Sequence, residues 1–236
     1  VSEVEVLAAD PDLGIGADAE ARAVCVARVL HLGRGPSRPE APEDAGFGLL
    51  VLTGFLVRRV GRGGRFGAEL LGPGDLLRPW QTIGATASAP FEPSWTVAAP
   101  TELAVLDAAF VARAAPWPSV AVALVDRAME RSRHLALTMA AVQQPRVERR
   151  LEALFWQLAD RWGRIGPDGV VVDVPLTHEL LGELVAARRP SVTTALSALA
   201  ASGRVERDAG RWLLRGGPPE EIAELLGEPA DGREAH

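Results

Sequence analysis

The hydrophobic positions change rhythm once along the chain. From Phe47 to Leu106 short apolar runs are split by turn residues: Gly48 to Val60, Phe66 to Leu71, the turn Gly72-Pro73-Gly74-Asp75, then Trp95 to Ala98 and Glu102 to Leu106. Short strands punctuated at regular intervals predict a β-sandwich or jelly roll. Ahead of it, residues 1 to 46 are rich in Pro, Gly and acids, and Val24 to Leu32 reads as a first strand after a short helix beginning near Asp18. After Pro116-Trp117-Pro118 the punctuation stops, and residues 119 to 143, without Gly or Pro, predict one long helix. Its apolar residues fall on two stripes, Ala121, Leu124, Ala128, Leu135 and Val142 on one, Val122, Val125, Met129, Ala136 and Met139 on the other. One stripe is available to cover the β-domain and the other to pair with a second copy. A core helix inside a monomer competes with that reading, because the seven-residue repeat is only partly kept.

Pro145 interrupts the pattern and a second helix runs to about Trp162, with Val147, Leu151, Leu154, Phe155 and Leu158 on its apolar face. Gly163 to Gly169 reads as a loop and Val170 to Val174 as a short β-branched strand. A helix then starts at Leu176-Thr177, with Thr177 as N-cap and Glu179 suited to the helix dipole. Leu180, Leu181, Leu184 and Val185 form its inner face, and Gly182 permits a close helix approach. Ala186-Ala187-Arg188 is the turn. Arg189-Pro190-Ser191 opens the next helix, in which Val192, Leu196 and Leu199 point inward before Ser202-Gly203 ends it. Arg204 to Arg207 and Arg211 to Leu214 flank Asp208-Ala209-Gly210 as a β-hairpin wing. Helix, turn, helix and wing in this order make a DNA-reading unit. The acidic tail from Pro218 has a short amphipathic run, Ile222, Leu225 and Leu226, for which docking and disorder are both open.

The net charge of -6 over 236 residues argues at first against nucleic acid. Its distribution changes that. Residues 1 to 144 carry 13 Arg against 16 acids and residues 216 to 236 one against 6, whereas residues 145 to 215 carry 11 Arg against 9 acids. The only positive segment is the one with the helix-turn-helix. No window has the roughly 18 apolar residues of a bilayer span, and no leader pattern opens the chain, so a cytoplasmic protein without a membrane partner is expected. One cysteine, Cys25, allows no intramolecular disulfide and cannot alone hold an iron-sulfur cluster.

The stretch LTHELLGELVAARRPSVTTALSALAASGRVER resembles the winged helix-turn-helix of the Crp/Fnr family of bacterial regulators, and LLGPGDLL with PTELAVLD resembles its cyclic-nucleotide-binding-like jelly roll. The likeness spans roughly residues 24 to 215. It implies an α+β fold: an N-terminal β jelly roll (1–116), a long dimerisation helix (117–144), a C-terminal winged helix-turn-helix (145–216) and an acidic tail (217–236). By the same resemblance Arg189 reads a base edge, as a bidentate partner of guanine, while Thr177 and Ser191 contact phosphates. Thr194 and Pro190 stand where the family often has a base-reading Arg and Glu, departures that put the usual operator in doubt. Arg188 adds a phosphate contact, and Thr193 completes the DNA-binding set. Ala186 replaces a common turn glycine, at a cost of roughly 1 kcal/mol if its backbone is left-handed.

Nucleotide-binding members hold the cyclic phosphate with a Gly-Glu pair and an Arg followed by Ser or Thr. Here that stretch reads Leu76-Leu77-Arg78-Pro79-Trp80 and later Pro93-Ser94-Trp95-Thr96, so cyclic AMP in the usual mode is not expected. A different effector would meet Arg78, Trp80, Trp95, Arg127 and Arg131, with Trp117, Ser132 and Thr138 near by. For the tryptophans a plain core role competes, and for the long-helix residues a solvated or intersubunit one. The four His are scattered, which supports no metal or other cofactor and no catalytic triad. The loop Gly61 to Gly67 lacks the ending of a phosphate-binding loop and is read as a hairpin turn. The chain is therefore expected not to be an enzyme but a homodimeric regulator, joined through residues 119 to 143 and bound to double-stranded DNA at a near-palindromic operator. RNA polymerase is a further partner the resemblance admits, and the effector is unknown. A winged helix that binds protein instead of DNA is the alternative.

Overall fold

The computed structural model describes residues 3–10, 19–40, 46–62, 65–79 and 93–226, which fall into two compact units, 1–132 and 133–236. In the first, β1 (Glu3–Glu5), β2 (Val26–Leu32), β3 (Gly35–Pro36), β4 (Gly48–Arg62), β5 (Arg65–Leu71), β6 (Leu76–Leu77) and β7 (Ser94–Leu106) pair antiparallel in the order β1-β2-β7-β4-β5. The short strands β3 and β6 lie on β7 and β4. Helices α1 (Val6–Ala9), α2 (Ala19–Val24) and α3 (Ala108–Ala114) accompany the sheet. Asp107 caps α3 by accepting from the Phe110 N–H at 2.9 Å.

Alternation along β4 and β7 sends successive side chains to opposite faces, and here both faces are buried. Leu49, Val51, Leu103 and Val105 join one core with Leu56, Leu71 and Trp95. Leu50, Ala104 and Leu106 join the other with Phe110, Val120 and Leu124. This is why the sequence shows nearly continuous apolar runs there. The two runs expected at 95–98 and 102–106 are one strand, β7, with Pro100 between them. The β4·β7 register shifts at that point, so the missing proline N–H breaks no ladder bond. Gly54 faces the shift with φ of 81°, and a Cβ there would strike the Pro100 carbonyl. The turn 72–75 is closed by the buried Asp75 carboxylate, which accepts from the Gly72 N–H at 2.8 Å.

The long helix, α4, is Pro118–Ala141. Its stripe of Val122, Val125, Met129 and Met139 is open, each residue 55 to 70% exposed. The covered side differs from the expected stripe: Leu124 is buried, but Ala128 is exposed and Leu135 only half-buried. In their place Arg127 and Arg131 turn inward, because Asp10 and Glu69 receive their charges.

The second unit holds α5 (Val147–Trp162), β8 (Gly163–Gly166), β9 (Gly169–Val172), α6 (His178–Leu184), α7 (Arg189–Ala201), β10 (Val205–Asp208), β11 (Arg211–Leu214) and α8 (Glu220–Leu226). Its sheet runs β10-β11-β9-β8. The segment 163–169, expected as a loop, is instead part of a β-hairpin: Arg164 and Ile165 pair with Val171 and Val170, and Gly166 pairs with Gly169 at its turn. The amphipathic run of the tail forms α8 and docks, with Ile222 buried against Ala141, Ala153 and Trp156.

Candidate nucleic-acid interface

Helices α6 and α7 are joined through the turn read from the sequence. Thr177 Oγ1 accepts from the Leu180 N–H at 3.1 Å and caps α6, as its position before an apolar run predicts. The close approach at Gly182 is made by the turn itself: a Cβ there would lie 2.7 Å from the Ala187 carbonyl oxygen, and the Ala187 N–H donates to Gly182 O at 2.8 Å. Ala186 has φ of 52°, so the left-handed cost anticipated for it is present. Arg188 is the N-cap residue of α7, and Pro190 stands in its first turn, where no N–H is needed.

Val192, Ala195, Leu196 and Leu199 bury one side of α7. The opposite side exposes Arg188, Arg189, Pro190, Ser191, Thr193, Thr194 and Ser197, and Thr177 is exposed at the start of α6. All seven residues expected to touch DNA therefore lie on the exposed surface of this one motif. The Thr193 and Thr194 hydroxyls donate to the Arg189 and Pro190 carbonyls at 3.1 and 3.2 Å. His178 Nδ1 lies 3.0 Å from Thr193 Oγ1, a link between the two helices that no sequence signal indicated.

The wing follows directly. Ala209 and Gly210, at φ of 47° and 86°, form a tight turn of the kind that matches hairpin twist. Trp212 is buried against Phe155, ring centroids 4.8 Å apart, while Arg207 lies over its ring at 5.4 Å and Arg211 is exposed beside it. Two supports were invisible in the sequence. Arg150 of α5 donates to the carbonyls of Gln144, Val185 and Ala186, tying the start of that helix to the turn. Glu152, fully buried, accepts from Arg204 at 2.7 and 2.8 Å and from Arg149 at 3.3 Å.

Of the residues expected to meet an effector, the three arginines each bind a partner within the protein. Arg131 makes a two-pronged pair with Glu69, at 2.7 and 3.0 Å, and donates to Leu76 O at 3.2 Å. Arg58 also reaches Glu69, at 2.6 Å, and sits opposite Trp95 in the β4·β7 register. Burial works against the Arg131 charge, but the hydrogen bond and charge of Glu69, with Asp75 behind, outweigh it and raise its pKa. Arg127 pairs instead with Asp10 at 2.8 Å, and Arg78 donates to Gly46 O. Trp95 is in the core with its Nε1 buried and without a hydrogen-bond partner. Trp80 lies outside the described residues. Among the described residues no group of three or more His, Cys, Asp or Glu could hold a metal, and no helix is long and apolar enough to cross a membrane.

Residues 149–215 match the family model of the Crp-like helix-turn-helix domain. The chain carries a Crp-like helix-turn-helix domain. This Crp-like domain holds all of α6, α7 and the wing, together with Glu152 and Arg204. The likeness of fold extends beyond it. FixK2 from Bradyrhizobium japonicum is similar with a TM-score of 0.61 at 19% identity, over 89% of this chain and 99% of that one. A CooA variant from Carboxydothermus hydrogenoformans gives 0.61 at 16%, over 85% and 88%. A CRP-family transcriptional regulator from Thermus thermophilus gives 0.59 at 16%, over 86% and 98%. No curated protein sequence matches the chain. The sheet, the long helix and the Crp-like domain thus share the fold of these solved structures.

Proposed function

We propose that this protein is a sequence-specific DNA-binding transcriptional regulator that acts as a homodimer. The observation that carries the reading is the exposed surface of α6 and α7 within a Crp-like domain, with Arg188, Arg189, Ser191 and Thr177 on it; in this reading Arg189 meets a base edge and the other three meet phosphates. The guanidinium of Arg189 suits guanine O6 and N7, and Thr194 offers a methyl group and an acceptor to a neighbouring base. Thr193 and Pro190 complete the surface against the major groove.

Dimerisation rests on α4. Val122, Val125, Met129 and Met139 are exposed at spacings of three, four and ten, and Ser132 and Ala136 fill the intervening heptad positions. Such a stripe pairs with its own copy, and two recognition helices then face half-sites one helical turn apart on a near-palindrome. An effector of the β-domain would have to compete with Asp10 and Glu69 for Arg127 and Arg131.

The test is the salt dependence of DNA affinity, because each phosphate neutralised adds to the slope. A steep fall of affinity with salt, shallower by about one unit in Arg188→Ala, supports the reading. Affinity that is weak and indifferent to salt would assign the winged helix to a protein partner.

A further inference from the structure

One histidine stands at the surface formed by α6 and α7. His178, half-exposed at the first position of α6, has Nδ1 3.0 Å from Thr193 Oγ1 on the exposed side of α7. The Thr193 hydroxyl has a single hydrogen and donates it to the Arg189 carbonyl at 3.1 Å. Its oxygen can then only accept from the ring, so Nδ1 carries a hydrogen in either charge state. Nε2 is the nitrogen that changes: it holds a lone pair in the neutral imidazole and an N–H donor in the imidazolium.

Among the described residues Nε2 has no hydrogen-bond partner and the ring forms no ion pair. The charged side chains of the two packed helices are Glu179 and Glu183 on α6 and Arg189 on α7, with Arg188 at its N-cap. The protein thus places no counter-charge in contact with the imidazolium. Thr177, next to His178, and Arg189, at the end of the hydrogen-bond relay, lie on the same exposed surface. A nucleic acid on that surface brings phosphate charge to the ring.

We propose that DNA binding takes up one proton at His178, whose imidazolium Nε2–H meets a backbone phosphate. The inference rests on the DNA-binding reading and adds a dependence on pH to it. A neutral ring would turn a lone pair toward an anionic oxygen, whereas the imidazolium offers a donor and a charge, so the bound state favours the charged form. The sign follows: a proton taken up on binding makes affinity highest at low pH. Affinity falls as pH rises through the range in which histidine titrates.

Fluorescence anisotropy of the full chain with a labelled DNA duplex of mixed sequence, at one low salt concentration, tests this between pH 8 and pH 6. Affinity is expected to rise at least about threefold toward pH 6, and by no more than about tenfold per pH unit, the limit for one proton. His178→Asn keeps a nitrogen donor for Thr193 but no titrating charge, and should show a flat profile. His178→Arg carries a permanent charge and should also be flat, binding more tightly at pH 8 than the parent. His134 stays neutral in this window, its pKa lowered to about 4 chiefly by burial, and both variants retain it and His31. A flat profile in the parent, or the parental slope in His178→Asn, overturns the proposal while leaving DNA binding intact. Should His178→Asn lose its helical circular dichroism, the parental slope in His178→Arg overturns it in the same way. No binding to the duplex at either pH removes the regulator reading and this inference together.

Discussion

Arg204, the residue between α7 and the wing, places one nitrogen 2.7 and 2.8 Å from the two carboxylate oxygens of Glu152, a side chain only 1% exposed. Removing one partner of a buried pair strands the other charge, which costs about 3–5 kcal/mol when both are buried. Arg204 can turn to water, so Arg204→Ala, which leaves Glu152 with Arg149 alone, is expected to cost more than the half-exposed arginine suggests, roughly 2–4 kcal/mol. Urea unfolding followed by Trp fluorescence reads it. An effect below about 0.5 kcal/mol, the level of an ordinary surface substitution, would show that the pair does not hold the wing.

Ala186 predicts the opposite sign. With φ of 52° it carries left-handed strain that glycine lacks. The strain relieved, about 1–2 kcal/mol, exceeds the loss of chain entropy in Ala186→Gly, about 0.4–1 kcal/mol, so the variant should be more stable by up to about 1 kcal/mol. A lower urea midpoint would contradict the geometry of the turn.

His134 predicts a pH dependence. Its folded pKa is lowered to about 4, so the unfolded chain binds the proton more readily. The contribution to stability is complete above the ordinary histidine value of about 6.5 and is lost as pH falls from there toward about 4. His134→Leu should therefore lose less stability than the parent between pH 7 and pH 5. Equal losses in the two proteins would place the ring in water.

Met129, central in the exposed stripe of α4, predicts the assembly. Met129→Glu puts like charges across a self-paired seam and should shift the protein toward monomer in sedimentation equilibrium at micromolar concentration. A native protein that sediments as a monomer would remove the dimer from the account.

The helix-turn-helix and wing were legible because each signal is local: the Thr177 cap, the proline in the first turn of α7, Gly203 at its end, and the Asp208-Ala209-Gly210 turn. The β-domain was legible as punctuated strands but not as a topology, since the placement of β7 between β2 and β4 depends on residues far apart in the chain. The covered face of α4 was misread for a physical reason. Apolarity marks burial only where charges lack partners, and Arg127 and Arg131 have them 117 and 62 residues away. The Glu152 pair, 52 residues apart, escaped for the same reason. In β8 two glycines outweighed the strand-forming Ile165, whose pairing comes from β9.

The most direct test of the regulator account is selection of bound sequences from random duplex DNA, with Arg189→Ala run in parallel at the same salt. The account predicts a two-fold symmetric motif in which the variant loses preference at one base pair of each half-site. Recovery of the same unenriched sequences by both proteins would contradict it.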